Sequence, residues 1–528
     1  MEGPLDAAHD PPLPRPLSRH LYLLAAFSLS LQLLPLLVSR YGYFRDELYY
    51  IACAKRLAFG YVDHPPLAPF LLRLVLMTLG DSLLAIRILP AVAGAATVFL
   101  TGVIARRLGG AAFAQCLAAL ALAIAPGFLI FCSFYSMNPF ESLIWAGCAY
   151  LVIRLLQQDE PRLWAPVGLL IGIGLLNKHT LVVYALSLGL ALLLAPARRQ
   201  FLSRWFWLGA LLAAVVVFPN VLWQLQHGFP SLEFYRNANM LKNIDTSPIQ
   251  VLLAQVFVMN PLAFPVWFAG LWFFLFSTHG KPFRVFGLTY VLLLATMMWA
   301  GSSRPDRMLA AYPILFAGGA TLVARFLEGR SRWALQAVAA VMVLVGGLGF
   351  APIAVPALPP EAQSKLTRML SPPQAEQGAT AKLPQWFADR FGWEEMASSV
   401  AEVYRQVAQQ QHASILLLAA NYGEAGALEF FGPRYGLPPV ISPHNTYHLW
   451  SAAQAAADSY IVIGFPEGQL REIFEEVTQA GLHTCTYCMD YENNLPVYVC
   501  RGARVPYADW WPETKWYGGA RKDVAPRP

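Results

Sequence analysis

Long apolar runs separated by short polar breaks dominate the first two-thirds of the chain. A helix that crosses a bilayer needs roughly twenty mostly apolar residues. Runs of that kind fall at 21–39, 83–105, 111–131, 139–156, 163–177, 180–196, 205–225, 249–277, 284–300, 308–326 and 333–355. The fifth is short and the eighth long. The pattern predicts a polytopic α-helical membrane protein of about eleven spans.

Basic residues in short loops orient such spans. With Arg15 and Arg19 on the cytoplasmic side, the inside loops hold Arg106–Arg107, Arg154 and Arg162, Arg198–Arg199 and Arg204, Lys281 and Arg284, and Arg325, Arg330 and Arg332. The outside connections are 40–82, 132–138, 177–179, 226–248 and 301–307, where basic residues are fewer and mixed with acids or proline. An odd number of spans then leaves the carboxyl-terminal tail outside. The amino terminus is Pro-rich and polar up to His20, without a small-residue cleavage site after a short apolar core, so the first run reads as a retained signal anchor. The expected location is the plasma (inner) membrane, multi-pass, with the amino terminus cytoplasmic and the tail extracytoplasmic.

From about 358 the character changes to that of a soluble domain. Pro356, Pro359, Pro360, Pro372 and Pro373 mark a linker, which divides the chain into a membrane domain, 1–357, and a small α/β domain, 358–528. A helical stretch near 394–410, a strand at Ser414–Ala420 and a helical Gly423–Phe431 follow. A strand at Tyr460–Phe465 leads into a helix at Glu467–Ala480, and strand-like segments near Cys485 and at Val497–Cys500 end the series. The alternation predicts a small, mainly parallel sheet. No glycine-rich phosphate loop follows either main strand.

Composition agrees with a chain dissolved in lipid. Of 528 residues, 56% are hydrophobic and 13% charged, with mean hydropathy +0.45; soluble domains carry about 25% charged residues. That excludes a disordered chain, a nucleic-acid binder and an ordinary large soluble enzyme. The net charge of +6 fits topology-setting loop cations better than a basic patch for an anionic partner.

The first outside loop carries the densest candidate chemistry, Tyr41-Gly-Tyr-Phe-Arg-Asp-Glu-Leu-Tyr-Tyr50. Asp46 and Glu47 stand next to the membrane among aromatic residues, which suits a general base. Acids in the first turn of a helix also complement its dipole, and both readings stay open. Tyr61-Val-Asp-His-Pro-Pro-Leu67 closes the loop; His64, held extended before proline, is placed to donate to an anion, and a plain turn is the alternative. Glu141, one turn into the fourth run, must face protein or water, because burial in lipid costs several kcal/mol. Lys178 and His179, at the end of the fifth run, and Arg304 and Arg307, in Ser302-Ser-Arg-Pro-Asp-Arg307, come out on the same side. Snorkelling explains any one cation; convergence of acids and bases from four loops points to a site at the outer face.

This order of residues resembles the C-type membrane glycosyltransferases, in particular the family of protein O-mannosyltransferases and bacterial aminoarabinose transferases. The resemblance rests on Arg45-Asp46-Glu47, His64-Pro65-Pro66, Ser136-Met137-Asn138 leading to Glu141, and Ala311-Tyr312-Pro313, over roughly residues 20–350. In the tail, Asn421-Tyr-Gly-Glu-Ala-Gly and Ser442-Pro-His-Asn-Thr-Tyr-His-Leu-Trp450 look like a bacterial branch of it. The resemblance implies inverting transfer from a polyprenyl-phosphate sugar to a lipid, glycan or protein acceptor, with Asp46 as base. Glu47 and Glu141 would orient the acceptor or bind sugar hydroxyls, and Lys178, Arg304, Arg307 and His64 would hold the leaving phosphate. The partners expected are the polyprenyl-phosphate donor, the acceptor and membrane lipids, with no nucleic acid.

The rival class is a transporter or flippase of a lipid-linked sugar, which would place its polar groups at the midplane on broken helices. No cofactor is expected, with a divalent metal left open. His444 and His448 with nearby acids make no convincing metal site, and Cys485-x-x-Cys488 with Cys500 supplies only half a zinc set. A disulfide from Cys500 to one of the other two fits an oxidising exterior better.

Overall fold

The computed structural model describes residues 16–301, 304–328, 332–371, 374, 376–410, 414–453 and 457–519. Arg15, Ser302, Ser303, Arg330, Pro372 and Pro373 lie outside the described residues. Among those described, seven helices are long and apolar enough to span a bilayer: His20–Val38, Leu83–Arg107, Asn138–Gln158, Arg204–Gln226, Lys281–Trp299, Asp306–Phe326 and Trp333–Ala354. Three further pairs bend sharply, Ala112–Ala123 with Pro126–Cys132 (63°), Leu181–Leu194 with Pro196–Leu202 (110°) and Pro248–Val258 with Pro261–Leu275 (94°). Counting each pair as one span gives ten. Rows of exposed Leu, Val, Phe and Trp, such as Trp207, Leu211, Val215 and Phe218 on one helix, are the face such a bundle shows to lipid.

Ten of the eleven expected runs correspond to these spans or bent pairs. The eleventh, 163–177, is the shorter helix Pro161–Leu175. It lies so close to Arg204–Gln226 that a Cβ at Gly168 would run into the Gly209 backbone. The breaks are proline-induced and their polar groups are met internally, as lipid requires: Asn260 donates from Nδ2 to the Val343 carbonyl (2.9 Å) and accepts from the Leu262 amide (3.0 Å).

The carboxyl-terminal part holds a five-stranded sheet, β1 (Ile415–Ala419), β2 (Val440–Ile441), β3 (Ser459–Ile463), β4 (Phe474–His483) and β5 (Leu495–Ala503), in the order β2-β1-β3-β5-β4. The β1 pairings with β2 and β3 are parallel, while β3–β5 and β5–β4 are antiparallel. The sheet is therefore mixed, not mainly parallel. The helix expected over Glu467–Ala480 stops at Ile473, and β4 begins at Phe474. Buried Phe474 and Val477 sit three residues apart, and a bulge follows at Gln479/Gly481; together they imitate helical spacing and hide the period of two.

Helix Trp393–Gln410 and helix Tyr422–Phe431 pack on one face of the sheet. The same core takes in Leu48, Tyr49, Ala52 and Cys53 of the helix Arg45–Lys55, so the tail and the first polar loop share one apolar cluster. Gly423 leaves room for the Arg45 side chain, which any Cβ there would strike. The carboxyl ends of β1 and β2 face this contact. In open sheets that edge, where the strand order reverses, is the usual ligand crevice; here it is closed against the Arg45–Lys55 helix.

The cysteines part company with expectation. Cys500 is buried in the cluster on the other sheet face, with Leu418, Tyr460 and Phe474. Cys485 and Cys488 are partners instead: the Cys488 amide donates to the Cys485 sulfur (3.2 Å). A hydrogen bond from Cys488 lowers the Cys485 thiol to about 7, the character of an attacking thiol. Mild oxidation with a small disulfide should therefore link Cys485 to Cys488 and leave Cys500 free. Alkylation and peptide mass spectrometry would detect this; a Cys500 cross-link would refute it.

Candidate active site

Asp46 and Glu47 open the helix Arg45–Lys55, about 100° apart around its axis, and meet opposite fates. Glu47 is fully buried. Its Oε1 accepts from Arg87 Nε (2.8 Å) and the Tyr135 amide (2.7 Å), and its Oε2 from an Arg87 terminal nitrogen (2.6 Å) and the Phe44 amide (2.8 Å). The capping alternative thus describes Glu47. Asp46 keeps 37% of its side chain exposed. Its Oδ1 accepts from the Tyr422 hydroxyl (2.7 Å), and its Oδ2 has no partner among the described residues.

Arg45 ties Asp46 to the tail. It lies 3.8 Å from Asp46, 3.7 Å from Asp389 and 3.9 Å from Glu376, donates to the Tyr491 hydroxyl (2.6 Å), and sits over the Tyr422 ring. Glu376 in turn meets Lys242 (3.1 Å) and Arg304 (3.3 Å), and Arg304 meets Asp306 (3.0 Å). Burial works to raise Glu376, but Lys242, Arg45 and Arg304 hold it down at about 2. Asp389, where burial outweighs Arg45, is pushed up to about 6. Asp306, with Glu376 and Asp46, holds the Arg304 guanidinium above its ordinary value against the effect of burial.

Glu141, buried in the first turn of Asn138–Gln158, accepts from Lys178 Nζ (2.7 Å) and the Thr180 hydroxyl (2.7 Å), and Lys178 also donates to Asn138 Oδ1 (2.8 Å). A narrow crevice lined by Phe128, Phe131, Glu141, Asp306 and Leu309 joins this pair to the Arg304 network. Arg307 is partly exposed, and its side chain makes no hydrogen bond or ion pair among the described residues. His179 meets the Tyr235 hydroxyl (3.1 Å).

His64 makes no hydrogen bond or ion pair with these ions among the described residues. It is 2% exposed, caged by Tyr50, Tyr61 and Tyr49, with Nδ1 beside the Pro65 carbonyl (2.9 Å) and Nε2 beside the Cys53 sulfur (3.7 Å). Both ring nitrogens are thus turned to protein atoms. No group of three or more His, Cys, Asp or Glu side chains is placed to hold a metal among the described residues.

Residues not singled out in the sequence complete the arrangement: Arg87, Glu376, Asp389, Arg390, Tyr422 and Tyr491. Arg87, inside an apolar run, carried a legible signal, since an intramembrane cation demands a partner. Arg390 donates to Ser133 Oγ (2.7 Å) and lies against Phe134 and Phe387. Apart from Tyr422, which falls in the Asn421-Tyr-Gly-Glu-Ala-Gly motif quoted above, nothing in the local sequence of the tail groups marks them.

Behind Tyr491, Asn421 Nδ2 donates to both Glu424 Oε1 (2.7 Å) and Glu492 Oε1 (2.9 Å). Burial raises both acids, Glu492 to about 7, and Glu492 adds to the shift of Glu424. Acids raised in the native state stabilise it while protonated. This contribution is complete below pH 4.5 and is lost as pH rises through about 7. Asp389 adds the same sign, and Glu376, titrating near 2, is flat over that window. Buried His444, His448 and His483, pushed below the ordinary histidine value, work in the opposite direction, so the test is the difference between proteins: Glu492→Gln should gain stability over wild type at pH 8 relative to pH 5 in thermal melts, and an unchanged pH dependence in that variant would refute the assignment.

The family described as dolichyl-phosphate-mannose-protein mannosyltransferase matches residues 63–223, a stretch that includes Glu141 and Lys178 and begins after Asp46. The lipid A galacturonosyltransferase RgtD of Rhizobium johnstonii is 25% identical over 234 residues, 44% of this chain and 48% of that protein; the match spans about half the length of that relative. Among solved structures, ArnT from Cupriavidus metallidurans bound to undecaprenyl phosphate superposes with TM-score 0.61 at 13% identity, covering 90% of this chain and 97% of that one. The arabinofuranosyltransferase AftD from Mycobacteria gives TM-score 0.53 at 13% identity, covering 92% of this chain and 40% of that one. The chain is an integral membrane protein with the C-type glycosyltransferase fold.

Proposed function

We propose that this protein transfers a sugar from a polyprenyl-phosphate donor to an acceptor hydroxyl at the outer face of the membrane, with inversion at the anomeric carbon. The observation that carries the reading is the contrast among its carboxylates. Glu47 and Glu141 are buried with both oxygens hydrogen-bonded, Glu376 and Asp389 are held in ion pairs, and Asp46 alone of the five keeps 37% of its side chain exposed with one oxygen unpartnered among the described residues, at the edge of a network of cations.

Asp46 Oδ2 accepts the proton of the acceptor hydroxyl as that oxygen bonds to the anomeric carbon. The bond from that carbon to the phosphate oxygen breaks, and polyprenyl phosphate departs as an anion. It needs no proton from an acid, because cations stabilise it directly. Arg307, whose side chain makes no hydrogen bond or ion pair among the described residues, is the primary phosphate ligand. Lys178, already shared between Glu141 and Asn138, offers its remaining N–H, and Arg304 shapes the field while committed to Asp306 and Glu376. Glu47 holds the loop in place, and His64 packs it. Undecaprenyl phosphate in the ArnT structure and the lipid A substrate named for RgtD support a lipid-linked donor and a lipid acceptor here.

The variant that separates these roles is Arg307→Ala. Losing a charge-assisted contact worth about 1.5–3 kcal/mol lowers kcat/KM for the donor roughly 10- to 100-fold in a transfer assay with labelled polyprenyl-phosphate sugar. An Arg307→Ala protein with wild-type donor kinetics refutes the phosphate assignment.

A further inference from the structure

A second cavity, of about 610 Å³, lies outside the network around Asp46. It opens between the helix Pro360–Leu370, the segment 379–385 and the loop at Thr486–Tyr487. Lys365, Arg368 and Lys382 line it, all exposed, and none has an ion-pair partner among the described residues. Lys365 and Arg368 stand three apart on one helix face, where side chains are neighbours. The one carboxylate in the lining, Glu361, accepts from the Tyr487 hydroxyl (3.3 Å). Gln385, also in the lining, has its side-chain oxygen buried without a partner.

Position narrows the ligand further. The Trp386 indole donates to the Ile353 carbonyl (2.8 Å) in the last turn of the helix Trp333–Ala354, so the cavity sits at the mouth of a membrane span. At the end of its helical wall Met369 is 82% and Leu370 51% exposed, an apolar tip beside three cations, which suits a phospholipid surface. On its inner side, Gln385 lies beside Glu376 and Asp389, the two acids that flank Arg45 next to Asp46.

We infer that this cleft binds a lipid headgroup with a net-anionic phosphomonoester, and that it is the acceptor's, held apart from the donor phosphate at Arg307. Three cations without ion pairs among the described residues match the oxygens of a phosphate ester, the Gln385 oxygen is left to accept from a headgroup hydroxyl, and the open, membrane-level mouth leaves the acyl chains in lipid. The assignment to the acceptor rests on the proposed transfer reaction; the binding of a phosphate headgroup does not.

The test uses the full-length protein in detergent micelles, with dioleoyl phosphatidic acid, dioleoyl phosphatidylcholine and undecaprenyl phosphate as probes. Phosphatidic acid should bind and phosphatidylcholine should not. The triple variant Lys365→Ala/Arg368→Ala/Lys382→Ala should weaken phosphatidic acid about tenfold or more, and the charge-keeping variant Lys365→Arg/Lys382→Arg should bind it as wild type does. Undecaprenyl phosphate should bind the triple variant as it binds wild type, and should weaken with Arg307→Ala. Equal binding of phosphatidic acid by wild type and triple variant, or of the two dioleoyl lipids by wild type, overturns the site. Loss of undecaprenyl phosphate in the triple variant makes the cleft the donor's and overturns the acceptor assignment. Cation-dependent binding in a protein that transfers no sugar leaves the site standing and removes the reaction proposed above.

Discussion

Asp46→Asn should lower the rate of sugar transfer about 10²- to 10⁴-fold, the loss expected when a general base is removed. The size follows from the chemistry: an amide oxygen accepts a hydrogen bond but takes no proton at neutral pH, so the acceptor hydroxyl must attack undeprotonated. The fold should not change, because Asp46 is 37% exposed and the amide oxygen still accepts from the Tyr422 hydroxyl. A circular-dichroism melt alongside the transfer assay checks both halves. Full activity in a folded Asp46→Asn protein would remove this residue from the mechanism.

The largest effect on stability should come from Glu47→Ala. Its carboxylate and the Arg87 guanidinium form a pair 2.6 Å apart with 0% and 1% of the side chains exposed. Arg87 also donates to the Gly42 carbonyl (2.9 Å), which pins the start of the loop. Removing the carboxylate leaves a buried cation with no counter-charge and strips the caps from the Phe44 and Tyr135 amides. Breaking a buried pair from one side costs about 3–5 kcal/mol. The variant should melt far below wild type and lose protease resistance in the loop 40–66. Arg87→Met with Glu47→Leu should recover part of the loss, because apolar groups of similar volume replace a buried pair at small cost. A Glu47→Ala protein that melts with wild type would contradict this structural role.

These two variants also separate what the linear chain could disclose from what it could not. Apolar runs of bilayer length locate ten of the eleven expected spans, because lipid permits few alternatives to a continuous helix. The 163–177 run lacked the length, and only packing against Gly209 shows why a shorter helix serves there. Asp46 and Glu47 look alike in sequence. Which of them is clamped depends on Arg87, forty residues away, and on the Tyr135 amide. His64 illustrates the opposite limit: proline predicts its extended backbone, but the tyrosine cage comes from helix packing. In the tail, β4 was masked by a bulge and a three-residue spacing of Phe474 and Val477. The contributions of Tyr422, Tyr491 and Asp389 exist only because the edge of the sheet docks on the Arg45–Lys55 helix, and no local pattern records a docking.

The most direct measurement of the central claim is transfer from polyprenyl-phosphate sugars carrying a labelled sugar, using the purified protein in proteoliposomes. The account predicts a labelled lipid product and an equal amount of free polyprenyl phosphate, both absent with Asp46→Asn. Movement of intact labelled donor across the bilayer, with the bond from the sugar to phosphate unbroken, would contradict it and make the protein a flippase.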